Sequence, residues 1–170
     1  STDMKYSTGE LDIEKIIPLI PETYADLLEG ITAKGMAQVS GSVSGIYSDT
    51  LTPLLTANID YYEGEFTYTD YPAILDIEAS MLLKLDMNNE QNSEISINSG
   101  FGKTGNSTVS VKGNISNILD DINYDITADG EFLLTDFESF IPGDLNLMVQ
   151  GEINGNLHTR FSQSALDNEE

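Results

Sequence analysis

Cysteine is absent from this chain of 170 residues, and histidine occurs only once. The lack of cysteine excludes disulfides, thiolate metal sites and a cysteine nucleophile, although it does not fix the compartment. His158, the one histidine, lies in a strand-like segment with no acidic pattern around it. We therefore interpret it as a surface or edge-strand residue, since a catalytic base or a zinc site needs clustered partners.

Positive charge is also scarce. Seven Lys and Arg residues stand against 29 Asp and Glu residues, which gives a net charge of -22. Nucleic-acid binding depends on neutralising phosphates with Lys and Arg, so no nucleic-acid partner is expected. An anionic membrane surface would repel the chain as well, so any lipid contact must be apolar and local. The simplest interpretation of the acidity is a hydrated surface.

Long apolar segments are the third thing missing. No run approaches the 18 apolar residues of a membrane-spanning helix, and residues 1–170 contain no signal-peptide pattern. The chain opens with Ser1-Thr2-Asp3, and Gly9-Glu10-Leu11 resembles the interior of a domain. We predict that residues 1–170 form a single β domain, cut from a longer protein whose missing part could carry a membrane anchor.

The strongest positive signal is alternation of apolar and polar residues. Between Ile77 and Met87 every odd position is apolar, while the even positions are polar except Leu82. A period of two places all the apolar side chains on one face of a strand. Turn-rich stretches separate further alternating runs, at 55–61, 109–115, 122–128 and 145–153. The pattern predicts an all-β antiparallel meander with one apolar face, either a curved open sheet or groove or a sandwich.

One or two short helices are expected beside the strands. Thr135 and Glu138 have the spacing of a capping box, with Phe137 and Phe140 at helical spacing and Pro142 as a stop. A second candidate runs over 21–29, followed by Gly30 at the C-terminal cap position. Each has one apolar stripe to bury, so we expect both to close an end of the sheet.

Two segments, 9–30 and 130–151, resemble each other. GELDIEKIIPLIP aligns without a gap with GEFLLTDFESFIP when residue 9 is set on residue 130, an offset of 121, and Gly30 and Gly151 keep that offset. Short Gly-Glu-apolar strings also match by chance. If the duplication is genuine, the chain holds a little more than one unit of a repetitive sheet that stacks on its neighbours.

These segments carry a family resemblance. The run from Ile20 to Pro72 and the later GEFLLTDFESFIP stretch resemble the repeating region of AsmA-family proteins. The resemblance implies a β-sheet groove in the periplasm of a Gram-negative bacterium, anchored in the inner membrane and involved in outer-membrane biogenesis and phospholipid transport. It implies no catalytic residues. The sequence departs from the family in being one short segment without the anchor.

Acidic clusters could hold calcium, but their spacing argues against it. The oxygen ligands that begin at Asp86 alternate as in a calcium loop, yet Gln91 replaces the glycine at position six and position twelve is not acidic. Asp120 to Asp125 is a similar turn. The Gly-rich stretch 100–105 enters a strand rather than a helix, so it does not resemble a phosphate loop. We interpret all three as polar turns, with no metal and no cofactor.

The apolar face is the remaining functional candidate. It would be covered in a sandwich, whereas in an open groove it would bind phospholipid or another acyl-chain lipid. The proposed lipid-binding residues are Ile59, Tyr61, Phe66, Tyr68, Met81, Leu83, Leu85 and Met87. We therefore expect a non-enzymatic envelope protein. The alternative is an extracytoplasmic β-sandwich that binds a protein or glycan through its loops, and an enzyme is the weakest possibility.

Overall fold

The computed structural model describes residues 2–19, 30–48, 51–69, 71–140 and 150–167. Short α-helices lie at Ile13–Ile16 (α1) and Gln163–Asp167 (α2), and 3-10 helices at Ile17–Leu19, Glu90–Asn92 and Leu134–Phe140. The strands are β1 Thr2–Ser7, β2 Leu11–Asp12, β3 Ile31–Gly45, β4 Leu54–Tyr68, β5 Tyr71–Leu85, β6 Glu94–Thr104, β7 Ser107–Ser116, β8 Asn123–Leu133 and β9 Glu152–Ser162. The all-β prediction is confirmed. The helix predicted over 21–29 lies outside the described residues, and so do residues 145–149 of the strand predicted over 145–153.

All the described strands belong to one open, curved sheet. Its order is β1-β3-β4-β5-β6-β7-β8-β9, and every neighbouring pair is antiparallel, as in a meander. β2 pairs with β3 beyond the end of β1, so the two short strands share one edge of the sheet. At the usual rise per residue, the 15-residue strands β3, β4 and β5 are each about 50 Å long.

Irregular pairing accompanies the curvature. The register shifts once in each of the pairs β3–β4, β5–β6 and β6–β7, and twice in β4–β5. The residue at the centre of the irregularity in β4 is Glu63, whose φ of 51° is left-handed. Such bulges bend a strand and increase its twist. The bulge also leaves Tyr61 and Gly64 on the same side of the sheet, since their partners in β5 are Ala79 and Ile77.

The sheet has one apolar and one polar side. Alternation places the apolar residues of each strand on one side, and directly paired residues of neighbouring strands face the same way. The apolar face, as we call it, is the side that carries Leu83. One row across it runs Tyr6, Gly41, Ala57, Leu83, Ile95, Ile115, Tyr124, Phe161. The polar face lies opposite. A row across it runs Ser7, Ser40, Asn58, Leu82, Ser96, Asn114, Asp125, Arg160.

No second sheet covers the apolar face within the described ranges. The 3-10 helix Leu134–Phe140 lies against one end of it, where the rings of Phe137 and Phe132 are 6.2 Å apart. Among the hydrophobic residues that the structure describes, only Ala37 and Ala57 are buried, each with 4% of its surface exposed. The chain exposes 11621 Å² in all, whereas a folded monomer of 18.6 kDa is expected to expose about 8,200 Å². The sandwich alternative is therefore wrong for the described residues, because a sandwich needs a second sheet.

The predicted helix near Thr135 is present as the 3-10 helix Leu134–Phe140, which lies against β5 and β8. Its Asp136 is bonded to the β6–β7 hairpin rather than to its own helix. The carboxylate accepts hydrogen bonds from the main-chain N–H groups of Asn106 and Ser107, at 2.9 and 2.8 Å, and from the Ser107 hydroxyl at 2.7 Å. These hydrogen bonds lower the pKa of Asp136, and the bond from the Ser107 hydroxyl has the largest effect.

We predict that Asp136→Asn lowers the melting temperature, because an amide oxygen is a weaker acceptor for three donors than a carboxylate. A lowered pKa means that the stabilisation is complete above the ordinary pKa of about 3.9 and is lost as the pH falls through the folded-state value. The difference between Asp136→Asn and wild type should therefore be present at pH 7 and shrink in acid. Asp120→Asn, in the β7–β8 turn, is the control, and an equal effect of both variants would contradict the role of Asp136.

Candidate functional site

Five of the predicted lipid-binding residues form one patch at the centre of the apolar face. Ile59 pairs directly with Met81, and Leu85 pairs with Leu55 on the neighbouring strand. Leu83 lies between Ala57 of β4 and Ile95 of β6, and Tyr61 pairs with Ala79. Antiparallel pairing thus brings together residues that are far apart in the sequence. All five side chains are half-buried by one another and by their neighbours on the same face.

The other three predicted residues lie elsewhere or only partly within the description. Phe66 is on the same face, where it pairs with Ala33 and Leu75 beyond the bulge of β4. The backbone of Tyr68 pairs with Ile31, and its side chain lies outside the described residues. Met87 lies in the turn after β5, which ends at Leu85, and 59% of its surface is exposed. The alternating pattern therefore continues for two residues after the strand ends, and the prediction that Met87 belongs to the strand is wrong.

Tyr61 combines an apolar ring with a bonded hydroxyl. Its hydroxyl donates to the main-chain carbonyl of Lys34, across the irregular pairing of β3 and β4. The ring lies over Gly64, where an added Cβ would stand 2.4 Å from ring atom Cε1. Burial raises the pKa of Tyr61, so the phenol stays protonated at neutral pH. The ring therefore adds apolar surface to the face without leaving its hydroxyl unpaired.

Tyr6 repeats this arrangement at the edge of the sheet. Its hydroxyl donates to the main-chain carbonyl of Thr56 at 2.9 Å, reaching over the intervening strand β3. It passes Gly41, where a Cβ would stand 2.7 Å from the tyrosine oxygen and 1.9 Å from the Thr56 carbonyl oxygen. At the other end of the same row Tyr124 and Phe161 stack with their centroids 4.6 Å apart. Aromatic rings thus lie along the face at both ends of the row.

The exposure of the apolar side chains increases toward the edge strands. Met4 of β1 has 52% of its surface exposed, and in β9 Ile153 and Leu157 have 53% and 62% exposed. Side chains in the central strands are shielded by neighbours on both sides, whereas those in an edge strand have neighbours on one side only. The result is one continuous apolar surface that crosses every strand from β1 to β9 on the pairing path.

Charged residues lie on the opposite, polar face. Lys34 bonds Glu65 at 2.9 Å, and Lys84 lies 3.8 Å from Glu94. Both pairs are well exposed, so they contribute little stability and mainly keep this face hydrated. Their positions alternate along the strands with the apolar residues, which keeps the two kinds of surface separate.

His158 has acidic and basic neighbours that the sequence analysis missed. Its Nε2 lies 2.7 Å from Asp125 of the adjacent strand, and the same carboxylate accepts a hydrogen bond from Arg160 at 2.7 Å. These contacts lower the pKa of Asp125, and the hydrogen bond with His158 has the largest effect. Asp125 is 33 residues away in the sequence, and only the β8–β9 register could have identified it. All three side chains are on the polar face and exposed, as expected for the edge-strand interpretation of His158.

The acidic segments considered for calcium have carboxylates that accept hydrogen bonds within the protein. Asp86 accepts from the main-chain N–H groups of Asn88 and Asn89, each at 3.1 Å, and from the side chain of Asn92. Asp121 accepts from the main-chain N–H and the hydroxyl of Ser164. The described part of the chain contains no group of three or more acidic or histidine side chains placed to hold a metal ion. Nor does any helix in it reach the length and apolarity needed to cross a membrane.

Comparison with known proteins gives no match: no family model, no curated protein and no solved structure is significantly similar to this chain.

We expect Gly64→Ala to destabilise the sheet by roughly 1–3 kcal/mol, because the added methyl would clash with both the main-chain carbonyl of Ile77 and the Tyr61 ring. Urea unfolding would measure the change in the free energy of unfolding. Gly155→Ala is the matched control, since nothing lies within 4 Å of a Cβ at that position. Alanine there should be neutral or slightly stabilising, and an equal loss in both variants would contradict the contact with Tyr61.

Proposed function

We propose that this chain is a non-enzymatic lipid-handling domain that holds acyl chains on its apolar face. The proposed ligand is a phospholipid or another acyl-chain lipid. Its hydrocarbon would lie against the patch formed by Ile59, Tyr61, Met81, Leu83 and Leu85. The resemblance to the AsmA family implies that this activity belongs to the periplasm, to lipid transport and outer-membrane biogenesis, with an inner-membrane anchor in the full-length protein.

The observation that carries the proposal is the continuous apolar face, which no second sheet covers in the described part of the chain. Monomers rarely expose contiguous apolar patches above a few hundred Å², and larger ones usually mark interaction sites. Here the face crosses the whole described sheet, and the total exposed area exceeds the expectation for a folded monomer by roughly two-fifths. Covering such a surface with hydrocarbon is favourable by about 25 cal/mol per Å² of apolar area removed from water.

The chemistry of the face suits hydrocarbon better than a polar ligand. The hydroxyls of Tyr6 and Tyr61 are both bonded to main-chain carbonyls, so the two rings contribute apolar surface. Sites for polar small molecules carry a few placed donors and acceptors that fix the orientation of the ligand. Contacts to side chains such as Leu83 and Met81 are non-directional, and methionine adapts to varied shapes. A surface of this kind would accept chains of different length.

The charge of the chain favours single lipid molecules over a membrane surface. With a net charge of -22, the chain is repelled by an anionic bilayer. The acidic side chains described here lie largely on the polar face and in the turns, whereas the central patch is apolar. Lipid would therefore be held on the apolar face while the polar face remains in water.

The first test is photo-crosslinking, with a photoreactive amino acid at position 83 or at position 84 of the chain. Leu83 lies on the apolar face between Ala57 and Ile95, whereas Lys84 lies on the polar face between Thr56 and Glu94. Both positions lie in β5 and are half-buried, so they differ only in the face of the sheet on which the side chain lies. We expect phospholipid adducts at position 83 and none at position 84, as read by mass spectrometry.

Crosslinks from position 83 only to other residues of the same chain would contradict the proposal, since the face would then be closed. Equal lipid adducts at both positions would also contradict it, because they would show contact without a preferred face.

A second test replaces an apolar side chain on the patch. We expect Ile59→Asn to weaken binding of a fluorescent fatty acid by roughly 10- to 100-fold, because burying an aliphatic side chain against the ligand contributes about 1.5–3 kcal/mol. Asp60→Asn, on the adjacent position of the polar face, should leave the affinity unchanged. Unchanged affinity in Ile59→Asn, with melting temperatures showing both variants folded, would contradict acyl binding at this patch.

A further inference from the structure

The outer edge of β9 has a defined set of exposed main-chain groups. The N–H of Gln163 donates to the carbonyl of Ile122 at 2.8 Å, and the N–H of Leu134 donates to the carbonyl of Gly151 at 3.0 Å. Both fall in the β8–β9 register, so odd-numbered residues of the β9 segment bond toward β8. The even-numbered residues therefore turn their N–H and C=O groups away from β8, among them Asn154, Asn156, His158 and Arg160.

This edge lacks the lysine and proline that often prevent strand pairing, although Glu152 and Arg160 give it two charged side chains. No described strand pairs with the outer side of β9. Exposed edges are commonly short or carry lysine or proline, which discourage pairing. The opposite edge fits that rule, since β1 has six residues and includes Lys5. β9 has 11 residues with neither lysine nor proline, and its apolar-face side chains Ile153 and Leu157 are more than half exposed.

The two similar segments, 9–30 and 130–151, also have similar structures. With the offset of 121, β3 and β9 begin at equivalent positions, Ile31 and Glu152. The preceding glycines, Gly30 and Gly151, both have positive φ, at 76° and 140°. The helical segments 13–19 and 134–140 coincide as well. Residues 2–12, which contain β1 and β2, coincide with β8 at 123–133.

β9 is therefore the counterpart of β3, and β8 is the counterpart of β1 and β2. The side of β3 that faces away from β1 carries β4, which pairs with it from Ile31 to Ser44. At the offset of 121 the apolar residues of β9 are one position out of step with those of β3, and so are the main-chain hydrogen bonds. The carbonyl of Gly30 accepts from Thr69 on the β4 side, whereas that of Gly151 accepts from Leu134 on the β8 side. The match therefore concerns the order of the strands and helices rather than individual residues. The corresponding side of β9 is the open edge.

We propose that the open edge of β9 binds an extended polypeptide strand of the β4 type, antiparallel, with apolar residues at alternate positions. Such a strand would satisfy the outward N–H and C=O groups and continue the apolar face past Leu157. A second copy of this chain is a poor occupant, because two chains of net charge -22 repel each other. The proposal is independent of acyl binding, since it concerns main-chain groups at the edge.

The test uses the full chain and a fluorescent peptide with the sequence of residues 54–68, in 0.15 M salt to screen the charges. We expect saturable binding, measured by fluorescence anisotropy, that a scrambled peptide without alternation does not reproduce. Amide hydrogen exchange should show new protection at Asn154, Asn156, His158 and Arg160, whose N–H groups face the edge.

The matched variants are Asn156→Pro and Asn156→Ala. Both remove the side-chain hydrogen bond from Asn156 to Asp129, but only proline removes the outward main-chain N–H. Gly155 precedes the proline and tolerates its steric demands, and the bonds to β8 are unaffected. We expect the peptide to bind Asn156→Pro at least tenfold more weakly than Asn156→Ala. Equal affinities for the two variants, protection confined to residues outside β9, or no saturable binding would each overturn the proposal.

Discussion

Antiparallel main-chain pairing joins residues of neighbouring strands that face the same way. In the row through Leu83 and Ile95, apolar side chains remain on one side from β1 to β9, while the row through Leu82 and Ser96 remains on the other. A slip of one residue in any pair would move a whole strand's apolar set to the polar face. The bulge at Glu63 shows how strictly this separation is kept. Because of the extra residue, Gly64 and Phe66 lie on the apolar face, as Tyr61 does.

Single-layer architecture changes which interactions hold the fold together. The two fully buried alanines among the described residues cannot supply the hydrophobic core of an ordinary domain of this size. Stability must come from the ladder hydrogen bonds and from cross-strand contacts within the apolar face, such as the Tyr124–Phe161 stack. The hydroxyls of Tyr6 and Tyr61 tie side chains to main-chain carbonyls on other strands. Exposed ion pairs on the polar face add little.

The alternation between Ile77 and Leu85 predicted both the strand and the face of its residues, because a period of two has only one structural meaning in a strand. The short helix after Thr135 was also predictable, although it is a 3-10 helix and its Asp136 bonds a hairpin that lies far earlier in the sequence. Contacts of that kind depend on the tertiary arrangement. The pairing of His158 with Asp125 and the position of Tyr61 over Gly64 could not be found for the same reason. Met87 was wrongly included in the strand, because the pattern continues for one period after the ladder ends.

The apolar face and the open edge of β9 are linked by the same geometry. An antiparallel strand added to β9 must place alternate side chains beside Leu157 and Phe161, so pairing at the edge also lengthens the face. The converse does not hold, because acyl chains on the face make no use of main-chain N–H and C=O groups. A chain with 29 acidic residues can keep such a surface open, since charge repulsion between copies opposes the stacking of their apolar faces. The acidity and the apolar face are thus two parts of one physical arrangement, in which repulsion between copies opposes the pairing of their faces.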